Sequence, residues 1–151
     1  MEEIIEIKPH EGLSGLRFGS VMDDAEKIWG KPEETENLES ESGEKSVVWH
    51  YWQKGISLFF EANSGVFNCV EIDNEEAVLW GEKIFEINEE EIVELFHKKG
   101  IEVSETEDHD WGEKRISFDV LLMDLYFEND LLISVSYCGQ HPENEILILP
   151  N

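Results

Sequence analysis

Alternation of apolar and polar residues with period two marks three runs in each half of the chain. In the first half, Val47–Gln53, Ile56–Glu61 and Val66–Ile72 read as strands. They are separated by Lys54-Gly55 and Asn63-Ser64-Gly65, residues that hairpin turns use. In the second half, Arg115–Leu121, Met123–Glu128 and Leu132–Tyr137 stand in the same order, with Asn129-Asp130 at the second turn. Helical spacing precedes each set. Val21–Trp29 carries Ala25, Ile28 and Trp29 on one stripe, Asp23 and Asp24 in its first turn, and Gly30 and Pro32 as its stop. Glu89–Lys98 carries Ile92, Leu95 and Phe96, with Asn88 as the N-cap, Glu89, Glu90 and Glu91 in the first turn, and Gly100 beyond its end.

The two halves align. Gly15 and Gly81 lie 66 residues apart, and Leu58-Phe59-Phe60-Glu61 matches Leu125-Tyr126-Phe127-Glu128 at a shift of 67. The expected fold class is α+β: two tandem repeats, each a helix plus three to four strands, forming one curved antiparallel sheet with the helices on one face. Residues 1–74 form the first repeat and 75–151 the second, in one compact domain overall. The acidic stretches Glu33–Glu44 and Glu102–Glu113 fall between helix and first strand, and read as lengthened connections.

Charge changes the functional picture more than the fold. With 36 acidic against 11 basic side chains, the 151 residues carry a formal charge of −25. Residues 1–75 hold 17 acidic and 6 basic side chains, and residues 76–151 hold 19 and 5, so the charge belongs to both halves and not to a tail. An aromatic content of 11% argues against a disordered acidic segment. A surface of this sign disfavours nucleic acid as a partner, and no window approaches the ~18 uninterrupted apolar residues of a membrane helix. Met1–Glu6 lacks the basic and apolar parts of a secretory signal, which points to the cytoplasm. In that compartment Cys69 and Cys138 are expected to be buried free thiols, with a single disulfide as the alternative.

The residues Gly12-Leu13-Ser14-Gly15-Leu16-Arg17-Phe18-Gly19, followed by a short helix ending Ile28-Trp29-Gly30-Lys31-Pro32, resemble the opening of the SmpA/OmlA-type lipoprotein domain. Two such units in tandem resemble the architecture of the beta-lactamase inhibitor protein (BLIP-like), with helices packed on one face of a continuous curved sheet. The resemblance implies that fold and a general role in protein binding.

Chemistry is sparse. His10, His50, His97, His109 and His141 have no partners at metal-ligand spacing, and the acidic residues around His109 miss the order of a calcium loop. Gly12, Gly15 and Gly19 precede a helix that opens with two acids, which would repel phosphate. No nucleophile stands in an elbow or triad context. The chain therefore reads as a non-enzyme without a cofactor or metal site.

The sheet faces say more. Alternation sets Trp49 and Tyr51 toward the helices, and His50 and Trp52 on the helix-free face. Phe59, Tyr126, Val70 and Asp119 are placed there too, rimmed by the acidic stretch that contains Glu105, Asp108 and Asp110. Aromatic side chains ringed by carboxylates suit a protein-binding surface. The residues Ile146–Leu149 read as an extra strand or strap that could cover it. The leading expectation is a non-catalytic cytoplasmic module that binds a basic protein, as an inhibitor or as an immunity-type partner of a toxin. The alternative is a small-molecule or metal-sensing domain that uses the concave sheet as a pocket. A homodimer burying the aromatic face is a further reading.

Overall fold

In the computed structural model, residues 4–109 and 112–139 are described. Six strands alternate apolar and polar side chains against a common core: β5 (Lys45–Tyr51), β6 (Ile56–Glu61), β7 (Phe67–Ile72), β11 (Glu113–Phe118), β12 (Met123–Glu128) and β13 (Leu131–Cys138). Together with β4 (Glu34–Glu39) and β10 (Glu105–Asp108) they form an eight-stranded sheet in the order β10-β11-β12-β13-β7-β6-β5-β4. All seven of its neighbouring pairs are antiparallel. Its seam is β13 against β7, with Cys138 directly opposite Cys69 and Val135 opposite Ile72.

A second, five-stranded sheet is built from β1 (Glu6–Lys8), β2 (Gly12–Leu13), β3 (Leu16–Arg17), β8 (Val78–Leu79) and β9 (Glu82–Lys83), in the order β3-β2-β1-β8-β9. Here β1 and β8 run parallel, pairing Ile7 with Leu79 across the two halves of the sequence. Gly12 is indispensable at its turn. Its φ is +149°, and a Cβ there would lie 2.0 Å from the Leu16 carbonyl oxygen.

Two helices complete the fold. α1 (Met22–Trp29) stops at Gly30, where φ is +83°. α2 (Glu89–Lys98) starts with a capping box: Asn88 Oδ1 accepts the Glu91 N–H at 2.9 Å, and Glu91 Oε1 accepts the Asn88 N–H at 3.0 Å. Ala25, Trp29, Ile92 and Phe96 join the small sheet's Ile7, Leu13, Leu16 and Leu79 in one buried cluster with Tyr51, Leu58, Phe60, Val70, Phe118, Leu125 and Tyr137 of the large sheet. Phe96 stacks on Phe118 with ring centroids 4.0 Å apart, which fixes α2 on that side. The Tyr137 hydroxyl donates to the Gly12 carbonyl at 2.8 Å, and the Tyr51 hydroxyl to the Gly30 carbonyl at 2.8 Å. Both clasps tie the large sheet to what lies over it.

The expected fold class needs correction. Strands occupy 47% and helices 18% of the described residues, so the protein is mostly β. It has two sheets where one curved sheet was expected, and the helices do not organise two helix-plus-strand repeats. The physical reasons lie in two kinds of segment. The glycine-rich lead-ins to the helices form strands of their own, and β1 seeks its parallel partner in the other half. The acidic stretches read as connections are β4 and β10, the two edges of the large sheet, with every residue exposed and thus no apolar alternation to betray them. Among the described residues no helix is long and apolar enough to cross a membrane.

The cysteines are a second correction. Cys69 and Cys138 are half-buried and joined by a disulfide, their Cα atoms 4.0 Å apart. Free thiols were expected because the chain was assigned to a reducing compartment; the alternative, a single disulfide, is what the β7–β13 seam allows by setting the two cysteines opposite each other.

Candidate functional site

The face of the large sheet opposite the helices carries a row of polar side chains that crosses all eight strands in register. From edge to edge it reads Glu34, His50, Ser57, Glu71, Ser136, Asp124, Ser117, Glu105. On the six inner strands each member alternates with residues that point into the core, and Glu34 and Glu105 on the exposed edges join the row by register. Apolar side chains flank the row. Phe59 stands opposite Cys69 and Val48, and Tyr126 stands between Ser134 and Arg115.

At the β4 side, the His50 ring stacks on Trp52 with centroids 4.2 Å apart and planes 10° from parallel. In the neutral ring, His50 Nε2 donates to Glu36 Oε1 at 2.9 Å and Nδ1 accepts the Ser57 hydroxyl at 2.8 Å. The Trp52 indole N–H donates to Glu34 Oε1 at 3.1 Å while 57% of the residue remains exposed. Two acidic side chains of the edge strand therefore hold an imidazole and an indole in a fixed stack.

At the β10 side, Arg115 sits among carboxylates. Its Nε and Nη2 donate to Glu107 Oε1 at 3.3 and 3.2 Å, and Nη1 donates to the Ser117 hydroxyl. Glu105 and Asp124 each come within 3.6 Å of the guanidinium. The Ser117 hydroxyl, on a residue only 2% exposed, donates to Asp124 Oδ1 at 2.5 Å. Between the two ends, partial desolvation pushes the Glu71 carboxyl pKa up, and the Asp73 charge adds to this while His50 opposes it. Burial likewise raises the Tyr126 phenol, reinforced by Asp124 and opposed by Arg115.

Of the residues singled out from sequence, the structure brings His50, Trp52, Phe59, Tyr126 and Glu105 onto this face. Val70 is not among them: it is fully buried on the opposite side, in register with Leu58 and Tyr137. The repeat alignment misjudged its phase because a bulge between Phe59 and Phe60 shifts the register with β7. Asp119 lies in a single 3-10 turn past the end of β11, where its N–H donates to the Ser104 hydroxyl at 2.5 Å. Asp108 pairs with Lys114, out of phase with Glu105 and Glu107, and so points away from the row. Asp110 and the Ile146–Leu149 segment fall outside the described residues. Arg115, Ser117, Glu71 and Asp124 went unnoticed, although extending the alternation outward from Ile116, Phe118 and Leu125 would have found three of them. Among the described residues, no group of three or more His, Cys, Asp or Glu side chains could hold a metal ion.

The face and fold define a β-rich domain with an acidic, hydroxyl-lined sheet surface. Comparison with protein-family models returns no match, and neither does comparison with curated proteins. Among solved structures the chain is similar to an extracellular protein containing an SCP domain from Bacillus anthracis str. Ames, at 13% identity and a TM-score of 0.51. The similarity covers 82% of this chain and 44% of that one, so this chain spans less than half of that protein. At that identity the likeness concerns fold alone.

Proposed function

We propose that the protein is a non-catalytic binding module for a basic protein, of inhibitor or immunity type, and that it engages its partner through the helix-free face of the large sheet. The observation that carries this reading is the composition of that face: it carries Glu34, Glu36, Glu71, Asp124, Glu105 and Glu107 along its length against the single guanidinium of Arg115, with the Trp52 and Tyr126 rings among them. Carboxylates at the rim steer a basic surface inward, and partly exposed rings supply contact area once it arrives.

The compartment hinges on the cysteines. A Cys69–Cys138 bridge suits an oxidising compartment, and the similar Bacillus anthracis protein is extracellular. We favour the oxidising site for the bridged form. An immunity role against a cytoplasmic toxin instead requires the pair to be reduced in the cell.

Affinity capture from native lysate at 0.05 and 0.5 M salt tests the function, with Trp52→Ala/Tyr126→Ala as the control bait. A basic protein held by the wild type at low salt, and lost both at high salt and with the variant, is the expected result. Equal recovery by both baits would show that the face is not the contact. Alkylation of the lysate before unfolding, followed by mass spectrometry, reads the cysteine state at the same time.

A further inference from the structure

Trp52 follows strand β5 and opens the turn that leads into β6, at the β4 end of the helix-free face. Its ring lies on the ring of His50, two residues earlier, with centroids 4.2 Å apart. The imidazole thus covers one face of the indole, while Glu34 Oε1 accepts the indole N–H at 3.1 Å. A tryptophan covered on one face and bonded at its nitrogen, yet still 57% exposed, has its other face open to solvent. We propose that this open face seats an arginine guanidinium of the basic partner, whose N–H groups reach the Glu34 carboxylate at the ring's edge. The assignment rests on the function proposed above and names the group that the partner delivers.

Rigidity is the first support. His50 is itself clamped, through Nε2 to Glu36 and through Nδ1 to Ser57. The turn is tied as well: the Gly55 N–H donates to the Trp52 carbonyl at 3.3 Å, and the Gln53 N–H to Glu33 Oε2 at 3.0 Å. Gly55 has a φ of +66°, and a Cβ there would lie 2.8 Å from Asp73 Oδ1. An indole held in this way loses little freedom when a ligand stacks on it.

Charge is the second. Glu34 Oε1 lies 3.1 Å from the ring nitrogen, so the other oxygen of the same carboxylate is at the ring's edge too, with acceptor capacity left over. Glu36 holds the imidazole and Glu33 the turn, and among the described residues none of the three forms an ion pair with a lysine or arginine. A cation arriving here meets carboxylates that no other cation neutralises.

Shape is the third. Tryptophan is the aromatic side chain that attracts cations most strongly, and a guanidinium is flat enough to lie on it. Stacked there, it directs in-plane N–H groups at a carboxylate beside the ring, which a compact ammonium cannot do over the same area. An anionic ligand would be repelled. Tryptophan and arginine are also the residues in which protein interfaces concentrate their binding energy.

Tetra-arginine and tetra-lysine peptides, equal in charge, serve as probes. Each is titrated into the isotope-labelled full chain at 0.15 M salt and followed by indole and amide N–H chemical shifts. The Trp52 indole signal should shift saturably and furthest among the tryptophans, and the arginine peptide should bind about threefold tighter than the lysine peptide. Trp52→Leu should weaken the arginine peptide about fivefold and erase its lead, and Glu34→Gln should weaken it about threefold. Glu94→Gln, exposed on helix α2, removes the same charge and should change affinity less than about twofold. If the arginine peptide binds with its shifts away from Trp52, no tighter than the lysine peptide, or equally well to Trp52→Leu, the platform is overturned while the basic-partner reading stands. If neither peptide binds, both fall. The melting temperature of each variant is measured alongside, and the Glu34→Gln result decides should Trp52→Leu fail to fold.

Discussion

Tyr137 buries a whole phenol in the core in order to reach the Gly12 carbonyl, and burial raises its pKa well above the ordinary tyrosine value. Removing the hydroxyl leaves that carbonyl without its donor. Tyr137→Phe should therefore cost about 1–2 kcal/mol, measured by urea denaturation, with little change in side-chain volume to complicate the reading. Glu71 gives the opposite sign. Its carboxyl pKa is raised in the fold, so the native state holds a proton over a pH range where the unfolded chain has lost it. Stability then falls as pH rises through that range, and the penalty is constant above it. Glu71→Gln should raise the melting temperature at pH 7 and leave it unchanged below about pH 4, where both states are protonated. A scan of melting temperature against pH for the two proteins shows whether the curves converge.

At the scale of elements, legibility followed burial. Helix α2 and strands β6 and β12 were readable to the residue, because each pairs a buried stripe with clear boundary signals, such as Asn88 before α2 and Gly100 after it. Edge strands β4 and β10 were not, since a strand whose side chains all face water has no alternation to read. The Cys69–Cys138 bridge stood only as an alternative for a different reason: the choice was made on compartment, while the β7–β13 seam that brings the two together joins strands far apart in sequence. On the candidate face, single-strand phase put His50 and Trp52 on the side the structure gives them, and the extra residue of β7, Asn68, defeated it at Val70. The acidic edges also carry a prediction. Repulsion between like-charged edges guards the unpaired backbone of β4 against pairing with a second molecule. Glu34→Thr/Glu36→Thr/Glu39→Thr should make the protein associate as concentration rises, and light scattering from 10 to 500 μM would show it. A variant that stays monomeric would mean that the edge is protected by something other than charge.

For the whole molecule the dominant quantity is −25, dispersed over both halves. Such a charge repels itself in the compact state, and the few ion pairs, among them Lys114 with Glu89 at 2.7 Å, neutralise little of it. Raising salt from 0.02 to 0.5 M should lift the melting temperature by several degrees, with most of the gain below about 0.15 M, where the screening length falls to ~8 Å. A melting temperature that falls with salt would mean that attractive pairs outweigh the repulsion. The same screening weakens recognition of a basic partner, so stability and binding respond to salt in opposite directions.

The parallel pairing of β1 with β8 has a consequence for synthesis. Strand β1 leaves the ribosome before its partner and cannot complete its sheet until Val78 and Leu79 have followed it, and the Gly12 carbonyl waits for Tyr137. Helix α1 and the β5–β6–β7 meander can assemble early from neighbouring sequence, but on their own they leave Val70 and Ile72 without β13 beside them. A nascent chain thus carries an incomplete core through most of its translation, held in solution by its acidic residues, and closes only when its last described strand arrives.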